Sequence, residues 1–541
     1  MSINLAEKQY DEGEDMYIPS QEPAERFPEI VDPGDKRHKV LDLHDLAEVL
    51  EGRRAAGRRI VHCHGVFDLL HIGHIRYFSQ AQQMGDVLVV TVTPDRFVDK
   101  GPHRPAFPES LRAEAVASLH CVDYVAINLW PTAEETLRLL RPHVYVKGSE
   151  FRQPGSDLTR KIDRERAVVE EIGAEIAFTE DIVFSSTNLI NRYLSSMPAE
   201  IQNYLDLFRR RHSVDEMLSW LDHMAALKVL VVGDTILDEY QYCEAIGKSS
   251  KDPLLALKYN HHDLFAGGVL AVANHVSGFA GRVDLLTMIG DRDSHEDFIR
   301  SSLRPNVRPR FVVQAEAPTL IKRRFIDGYS TNKLFEVYVM DDSGPSEQQS
   351  RESSDWLRSV FDEYDIVISA DFGHGAITQA MVDAMVDGAP FLAAMTQANA
   401  GNRGFHTVTR YGRADYACLS EHELRLERRD LRGDIRPMME HLSRGLGAHQ
   451  FVTTRGRKGC LVIDRDGQFM EVPAFATRVV DRVGSGDAFF AVSSLASRLG
   501  ASSEVLGFLG NVVGSLAVEM LGNAKPIDKG AVQKYLVSLL K

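Results

Sequence analysis

The feature that most constrains the fold of this chain is a decapeptide in which two histidines follow a short β-branched run. It reads Gly-Val-Phe-Asp-Leu-Leu-His-Ile-Gly-His over residues 65–74, and the preceding residues 60–63 have the pattern of a buried strand. Because His71 and His74 are three residues apart at the start of a predicted helix, they project to one side of that helix. Strand, loop and helix N-terminus form the unit of parallel α/β sheets, and such a helix start attracts anions. The decapeptide therefore predicts an α/β fold with a phosphate site at the carboxyl end of a strand.

Short apolar runs alternate with longer amphipathic segments on both sides of a polar, helix-forming connector. The first series has predicted strands at 60–63, 87–92, 122–127 and 144–146, with predicted helices at 72–84, 111–119 and 188–194. The second series has predicted strands at 229–234, 283–290, 365–370, 391–395 and 451–454. A chain of 541 residues is too long for one core, and no repeat relates the two series. We expect an acidic extension at 1–41, a Rossmann-like α/β domain at 42–197, a helical linker at 198–226 and a second α/β domain at 227–541.

The net charge, the apolar content and the cysteines restrict the kinds of partner that this chain can bind. The net charge of −15 disfavours nonspecific binding to nucleic acid or to an anionic membrane surface, although a local basic pocket for phosphates is compatible with it. The chain has no apolar run near the roughly 20 residues that cross a bilayer. Its five cysteines are scattered without a Cys-x-x-Cys pair, which argues against a disulfide framework and a zinc site. We therefore expect a cytoplasmic protein that binds small anionic ligands and neither membrane nor nucleic acid.

The first motif suits nucleotidyl transfer. That reaction places a phosphate in line with the α-phosphate of a nucleoside triphosphate, and catalysis consists mainly of positioning and of neutralising negative charge. His71 and His74 can reach phosphate oxygens, and Gly73 lets the triphosphate approach the backbone. No covalent nucleophile is needed.

Three further segments occur in a fixed order after the decapeptide, at residues 100–105, 145–148 and 185–187. Together they resemble the cytidylyltransferase-like family, and within it the adenylyltransferases of bacterial ADP-heptose synthesis. The resemblance implies a catalytic role for His71, His74 and Lys147. It implies nucleotide contacts from Gly65, Phe67, Gly73, Ser186 and Thr187, and acceptor contacts from Lys100 and Arg104. Asp68 would either orient the loop or help to bind a metal ion.

The string His-Ile-Gly-His also occurs in class I aminoacyl-tRNA synthetases, which share this phosphate chemistry. Those enzymes resemble one another in a Lys-x-Ser-Lys-type loop and a basic tRNA-binding domain. This acidic chain shows neither feature, which disfavours that alternative.

A second phosphate motif, Asp-Arg-Val-Gly-Ser-Gly-Asp-Ala-Phe, occupies residues 481–489. Its small residues let backbone N–H groups face a phosphate, and the helix predicted over 488–498 directs its positive end to the same place. A sugar kinase needs such a cradle together with a base near the acceptor hydroxyl. Asp487 is the candidate base.

Other motifs of the second half support this interpretation, namely Gly233-Asp234-x-x-x-Asp238, Gly267-Gly268, Gly290-Asp291 and Thr454-Arg455-Gly456-x-x-Gly459. Together they resemble the ribokinase-like (PfkB) carbohydrate kinases, which implies a ribokinase-like α/β/α fold. The resemblance implies nucleotide contacts from Thr454, Gly456, Gly459, Gly484, Ser485 and Gly486. It implies substrate contacts from Asp238, Gly267, Gly268, Asn274, Lys322 and Arg324.

Three departures from the heptose-phosphate kinases leave the sugar open. Their Gln-x-x-x-Arg-like segment reads Lys-Leu-Phe-Glu-Val at residues 333–337. Ala271 stands where those kinases carry an asparagine, and His374 stands where they carry a lysine beside Asp371. Asn274, one turn further on, either substitutes for the missing asparagine or is an ordinary polar residue of its helix.

The two halves together predict a bifunctional sugar kinase and sugar-phosphate nucleotidylyltransferase that makes an ADP-heptose-like nucleotide sugar. The chain is similar to the bifunctional heptose-phosphate kinase/adenylyltransferases, with the order of the two domains reversed. Mg²⁺ and ATP, or CTP at the first site, are the expected cofactor and nucleotide substrates, and the resemblance implies a homodimer. Two alternatives stay open: a CTP-dependent cytidylyltransferase for an alcohol or polyol phosphate, and a nucleotidylyltransferase whose kinase-like half is a noncatalytic sugar-binding module.

Overall fold

The first α/β unit is built around a six-stranded parallel sheet. The computed structural model describes residues 37–98, 104–149, 161–179, 197–329, 332–341 and 343–541. The strands of this unit are β1 (Val40–Leu41), β2 (Ile60–Gly65), β3 (Val87–Val92), β4 (Tyr124–Ile127), β5 (Val144–Lys147) and β6 (Glu175–Phe178). Its described helices are α1 (Leu43–Ala55), α2 (Ile72–Gln82), α3 (Glu109–Ala117), α4 (Glu134–Leu140) and α5 (Lys161–Glu171). The predicted strand at 122–127 starts two residues late because Val122 closes a turn onto the carbonyl of Leu119, and the predicted helix at 188–194 lies outside the described residues.

The order of the sheet, β1-β4-β3-β2-β5-β6, places the first motif at a crevice. Alternate residues of β2 enter different cores: Val61 packs in a cluster with Phe78, and Ile60 packs in another with Leu46. Burial on both faces explains the continuous β-branched runs of the central strands. The chain continues from β2 to β3 on one side and returns with β5 on the other, so the carboxyl end of β2 is a topological switch point.

The second unit contains a twelve-stranded sheet system with helices on both faces. Its strands are β7 (Lys228–Lys248), β8 (Leu255–Gly268), β9 (Arg282–Arg292), β10 (Val307–Pro318), β11 (Ile321–Asp327), β12 (Lys333–Val339), β13 (Ile366–Asp371), β14 (Leu392–Thr396), β15 (Tyr416–Ser420), β16 (Gln450–Thr454), β17 (Cys460–Asp464) and β18 (Phe469–Val472). The helices after the first unit are α6 (Ala199–Arg211), α7 (Val214–Met224), α8 (Val269–Ser277), α9 (Glu296–Ser302), α10 (Glu347–Val360), α11 (Gln379–Gly388), α12 (Glu421–Arg428), α13 (Ile435–Leu446), α14 (Ser485–Arg498), α15 (Ser503–Ala517) and α16 (Lys529–Leu540). The main sheet runs β10-β9-β7-β13-β14-β15-β16-β17-β18 and is parallel as far as β16.

Strand β7 is long enough to belong to two sheets. Its first residues pair with β9 and β13 in the main sheet. Its later residues pair with β8 and β11, and β11 pairs with β12. We call the β8-β7-β11-β12 arrangement the lid sheet. Because one strand crosses from the main sheet into the lid, the lid residues are anchored directly beside the carboxyl edge of the main sheet.

The connector between the units forms two helices, α6 and α7, which pack on the second unit. Leu205 and Phe208 are buried in its main core, and the ring of Phe208 stacks on that of Phe508 with 4.0 Å between centroids. One face of α6 is therefore apolar, and it covers α15. Among the helices of the described ranges, no segment has the length and apolarity needed to span a membrane.

Candidate active sites

His71 begins α2 immediately beyond the carboxyl end of β2. Its Nδ1 accepts a hydrogen bond from the Gly73 N–H at 3.1 Å, which caps the helix. Since Nδ1 accepts that bond, the neutral ring carries its proton on Nε2. Nε2 is buried and has no hydrogen-bond partner in the part of the chain described here, and burial lowers the pKa of His71. The ring thus presents an unused N–H donor at a helix N-terminus, where a phosphate oxygen would satisfy it.

The second histidine of the motif lies directly against the first. The rings of His71 and His74 stack with 4.0 Å between centroids, and Phe67 meets His74 edge-on at 5.5 Å. Phe67 has a left-handed backbone with φ of 47°, and its ring sits over Gly65, where a Cβ atom would come within 2.9 Å of it. Gly65 and Phe67 therefore shape the loop that brings both histidines to one side, as the helical spacing predicts.

Asp68 orients the neighbouring loop. Its buried carboxylate accepts hydrogen bonds from Nε of Arg104 and from the N–H of Ala106. Of the two roles left open by the sequence, these contacts favour the orienting one. The Nη2 atom of Arg104 is buried, and no described residue accepts a hydrogen bond from it.

Lys147 lies at the end of β5, beside β2, but its charge is already balanced. Its ammonium is 2.8 Å from the carboxylate of Glu165 on α5, and both side chains are buried. Nζ also lies 5.0 Å from the centre of the Tyr145 ring. The resemblance implies a catalytic role for Lys147, and no local motif marks its partner Glu165.

Arg112 is a second residue that motif reasoning missed. This side chain from α3 is 1% exposed and donates hydrogen bonds to the carbonyls of Val66, Thr93 and Phe107. It also pairs with Asp95. The β2–α2 loop and the β3–α3 connection are thereby joined to one guanidinium, which makes Arg112 a positioning residue for the histidine loop.

Some predicted contacts of the first site fall on residues that the structure does not describe. Lys100, Ser186 and Thr187 lie outside the described ranges. Within those ranges, no group of three or more His, Cys, Asp or Glu side chains is arranged to hold a metal ion. Mg²⁺ is commonly held by one or two carboxylates together with substrate phosphates, so a nucleotide-borne Mg²⁺ does not need such a protein cluster.

In the second unit, the predicted substrate residues converge where β7 enters the lid. Asp238 pairs with Arg324 across β7 and β11, and Lys322 is level with Asp238 on the same strand pair. A Cβ atom on Gly267 would come within 2.1 Å of the Asp238 carboxylate, so only glycine fits there.

Gly268, with φ of 55°, is the residue directly before α8. Arg323 points to the other face and pairs with Glu239 at 2.6 Å.

Asp487 stands at the start of α14, close to this pocket. Burial, together with the negative charge of Asp238, raises its pKa to about 7, while Lys322 opposes that rise. Gly484 caps the helix with φ of 81°, and a Cβ atom there would collide with Asn523 at 1.9 Å. At Gly486 a Cβ atom would meet nothing within 4 Å. The loop from Gly484 to Gly486, with Ser485 between them, thus presents an open helix N-terminus beside a carboxyl group that titrates near neutral pH.

The predicted nucleotide segment forms a tight turn after β16. Thr454 ends the strand, and residues 456–458 form a turn of 3₁₀ helix. Gly456 has φ of 57° with open space around its missing Cβ, which leaves room for a ligand. Gly459 is required for a different reason, since a Cβ atom there would meet the Val472 carbonyl at 2.0 Å.

Asn274 corrects the sequence interpretation. Its amide nitrogen donates to the carbonyl of Ser302 at 2.9 Å, and its amide oxygen accepts from the N–H of Arg304 at 3.0 Å. The side chain therefore holds the end of α9 and does not replace the asparagine missing at Ala271.

Asp371 and His374, near the carboxyl end of β13, differ in charge and in their hydrogen bonds. Asp371 is buried and accepts hydrogen bonds from His406, Arg410 and Tyr411, so its carboxylate is fully engaged. Burial and the nearby Lys322 lower the pKa of His374 to about 3. The imidazole of His374 is therefore neutral near pH 7.

Comparison with known families agrees with the two halves of the chain. Residues 226–529 match the family model of the pfkB family carbohydrate kinases, and residues 62–192 match the cytidylyltransferase-like family. The chain belongs to the pfkB family of carbohydrate kinases and carries a cytidylyltransferase-like domain ahead of the kinase domain. The family predictions and the predicted fold class are confirmed.

Individual relatives are similar over one part of the chain. The bifunctional protein HldE of Pelobacter propionicus is 36% identical over 163 residues, 30% of this chain and 32% of that protein. The HldE protein of Syntrophotalea carbinolica is 37% identical over 163 residues, 29% and 31% of the respective chains. The chain thus spans about a third of the length of these curated relatives. Escherichia coli phosphofructokinase-2 covers 58% of this chain and all of its own, with 16% identity and a TM-score of 0.49.

Proposed function

We propose that the chain is a bifunctional enzyme that phosphorylates a sugar or sugar phosphate and transfers a nucleotidyl group to a sugar phosphate. The observation that carries the proposal is the presence of two prepared anion sites, each at a helix N-terminus. One presents the unused Nε2–H of His71, and the other places Asp487 beside the Asp238 pocket. The matches to two transferase families support the same pairing.

At the first site, an oxygen of the sugar phosphate attacks the α-phosphorus of the nucleoside triphosphate, and pyrophosphate leaves. His71 and His74 hold the phosphate oxygens and offset the negative charge that develops on them. Arg112 and Asp68 fix the loops that carry these groups. Mg²⁺ bound with the nucleotide would neutralise further phosphate charge.

At the second site, Asp487 takes the proton of the acceptor hydroxyl, the hydroxyl oxygen attacks the γ-phosphorus of ATP, and ADP leaves. A base with a pKa of about 7 is matched to neutral pH. Lys322 and Arg324 place two cations near Asp238, which supports an acceptor that carries a phosphate. An ADP-heptose-like product is the expected outcome of the two reactions.

The test is a matrix of sugars, sugar phosphates and polyol phosphates against ATP and CTP, in which ADP and pyrophosphate are followed separately. Sugar-dependent ADP formation and sugar-phosphate-dependent pyrophosphate release with ATP would support the proposal. Pyrophosphate release only with CTP and an alcohol phosphate would favour the cytidylyltransferase alternative. Pyrophosphate release without ADP formation on any sugar would favour the noncatalytic module.

A homodimer through the lid sheet is part of the proposal. Its support is a set of exposed apolar side chains on the lid strands: Ile246, Leu255, Tyr259 and Phe335. Sedimentation of the purified chain would show a dimer of the 60.5 kDa subunit, and a monomer at micromolar concentration would contradict it.

A further inference from the structure

Asp481 is a junction between segments that lie far apart in the sequence. It is 7% exposed, and its carboxylate accepts four hydrogen bonds. The donors are Nζ of Lys333 at 2.7 Å, the hydroxyl of Tyr240 at 2.8 Å, and the N–H groups of Gly522 at 3.1 Å and Val483 at 3.2 Å. Such a buried carboxylate is expensive unless all these bonds are made.

The four donors belong to segments that lie before and after the Gly484–Gly486 loop in the sequence. Tyr240 and Lys333 belong to lid strands β7 and β12. Gly522 precedes Asn523, the residue that a Cβ atom on Gly484 would approach to 1.9 Å. Asp481 itself stands three residues before Gly484. The lid sheet is thereby connected through one carboxylate to the loop that begins α14.

The same lid residues also reach the acceptor pocket. The Tyr240 ring has two cations near it, Nζ of Lys333 at 5.1 Å and Cζ of Arg324 at 5.8 Å from its centre. Arg324 in turn pairs with Asp238. A continuous set of contacts thus runs from the acceptor carboxylate, through Arg324, Tyr240 and Lys333, to Asp481.

Of the four hydrogen bonds to Asp481, the one from Lys333 should matter most, because only Lys333 carries a positive charge. Burial by itself would raise the pKa of Asp481, but the bonds from Lys333 and Tyr240 hold it below its usual value. Without the ammonium, an uncompensated carboxylate would remain beside a loop that has to accept anionic phosphates. The Asp481 side chain is 7% exposed, whereas the Lys333 side chain is 36% exposed. Removing the lysine would therefore leave a mostly buried carboxylate without its cation, which is more disruptive than losing a pair between two surface groups.

We propose that Lys333 and Tyr240 latch the lid sheet onto Asp481, and that this latch sets the Gly484–Gly486 loop in its phosphate-binding geometry once the acceptor pocket is formed. The inference rests on the proposed kinase function and adds positioning residues to it. Lys333 is assigned as a positioning residue because its ammonium contacts the Asp481 carboxylate and the Tyr240 ring.

The test compares Lys333→Ala and Lys333→Arg with Lys258→Ala, a matched lid lysine whose side chain is 65% exposed and lies 3.8 Å from Glu244. Lys333→Ala should lower kcat for ADP formation about tenfold or more and raise KM for ATP. Added ethylammonium, which supplies the missing positive charge, should restore part of the rate. Lys333→Arg should retain most of it, and pyrophosphate release at the first site should be unchanged in all three variants.

Amide hydrogen exchange provides a readout that does not depend on turnover. In Lys333→Ala, the amides of residues 483–487 should exchange faster than in the unmodified chain, and in Lys258→Ala they should not. Unchanged exchange in Lys333→Ala would overturn the latch, as would kcat and KM within twofold of the original values. Absence of ADP formation by the unmodified chain would instead contradict the proposed kinase function, and the exchange data would still decide the latch.

Discussion

Asp487 links the chemistry of the second site to pH through its surroundings. Burial and Asp238 raise its pKa to about 7, and a general base works only when it is ionised. We therefore expect kcat/KM for ADP formation to fall about tenfold per pH unit below about pH 7 and to level off above it. A profile measured between about pH 5.5 and 8.5 tests this, and a rate independent of pH down to about pH 5.5 would contradict the role of Asp487 as base.

The same carboxyl group carries a stability cost. Its pKa in the folded chain exceeds the ordinary value of 3.8, so the native state binds an extra proton between these values and becomes less stable as pH rises through them. Asp487→Asn should therefore raise the free energy of unfolding at pH 8 by up to about 4 kcal/mol. The gain should shrink toward zero near pH 4, and urea titrations at both pH values would show whether it does. A destabilised variant at pH 8 would count against this environment.

Arg112 tests how the first site is held together. Arg112→Met leaves the carbonyls of Val66, Thr93 and Phe107 without their shared donor, and should destabilise the first unit by about 3 kcal/mol. Pyrophosphate release should fall with it. Arg96→Met is the matched control. The exposed Arg96 donates a 3.2 Å hydrogen bond to the Leu129 carbonyl and lies over the Phe97 ring at 4.9 Å, and its loss should change stability by less than about 0.5 kcal/mol. Equal effects of the two substitutions would refute the positioning role.

At the scale of elements, the connector helices are part of the kinase core. Phe208 is fully buried against Phe508, whereas the adjacent Leu207 is 53% exposed. Phe208→Ala should lower the unfolding free energy of the kinase unit by about 3 to 5 kcal/mol, and Leu207→Ala should change it little. Chemical denaturation followed by loss of sugar-dependent ADP formation would measure both. Similar stabilities of the two variants would mean that α6 does not support the kinase.

Local sequence pattern predicted the helices and strands well where the signal lies within a few consecutive residues. The β-branched runs at 60–63 and 87–92 are strands of the first sheet, and the glycine pair at 267–268 does precede a helix. The helix after Gly484 begins at Ser485 rather than at Ala488, because the glycine itself supplies the helix start. Such features depend on neighbouring residues, which the sequence displays directly.

Contacts between distant segments could not be predicted in this way. Lys333 and Asp481 are separated by 148 residues, and Arg112 reaches Val66 across 46. The resemblance implies an acceptor contact for Asn274, whereas its hydrogen-bond partners Ser302 and Arg304 lie 28 and 30 residues further along the chain. A charged or polar residue has the same letter whether it faces a ligand or a backbone carbonyl, so only the fold decides between these roles.

For the whole molecule, the central claim is that one chain carries two independent transferase sites. The most direct measurement follows pyrophosphate and ADP separately in the unmodified chain, His74→Ala and Asp487→Asn. The account predicts that His74→Ala loses pyrophosphate release and keeps ADP formation, and that Asp487→Asn does the reverse, each loss being about a hundredfold or more. Loss of both products in either folded variant, or of neither, would contradict two separate sites.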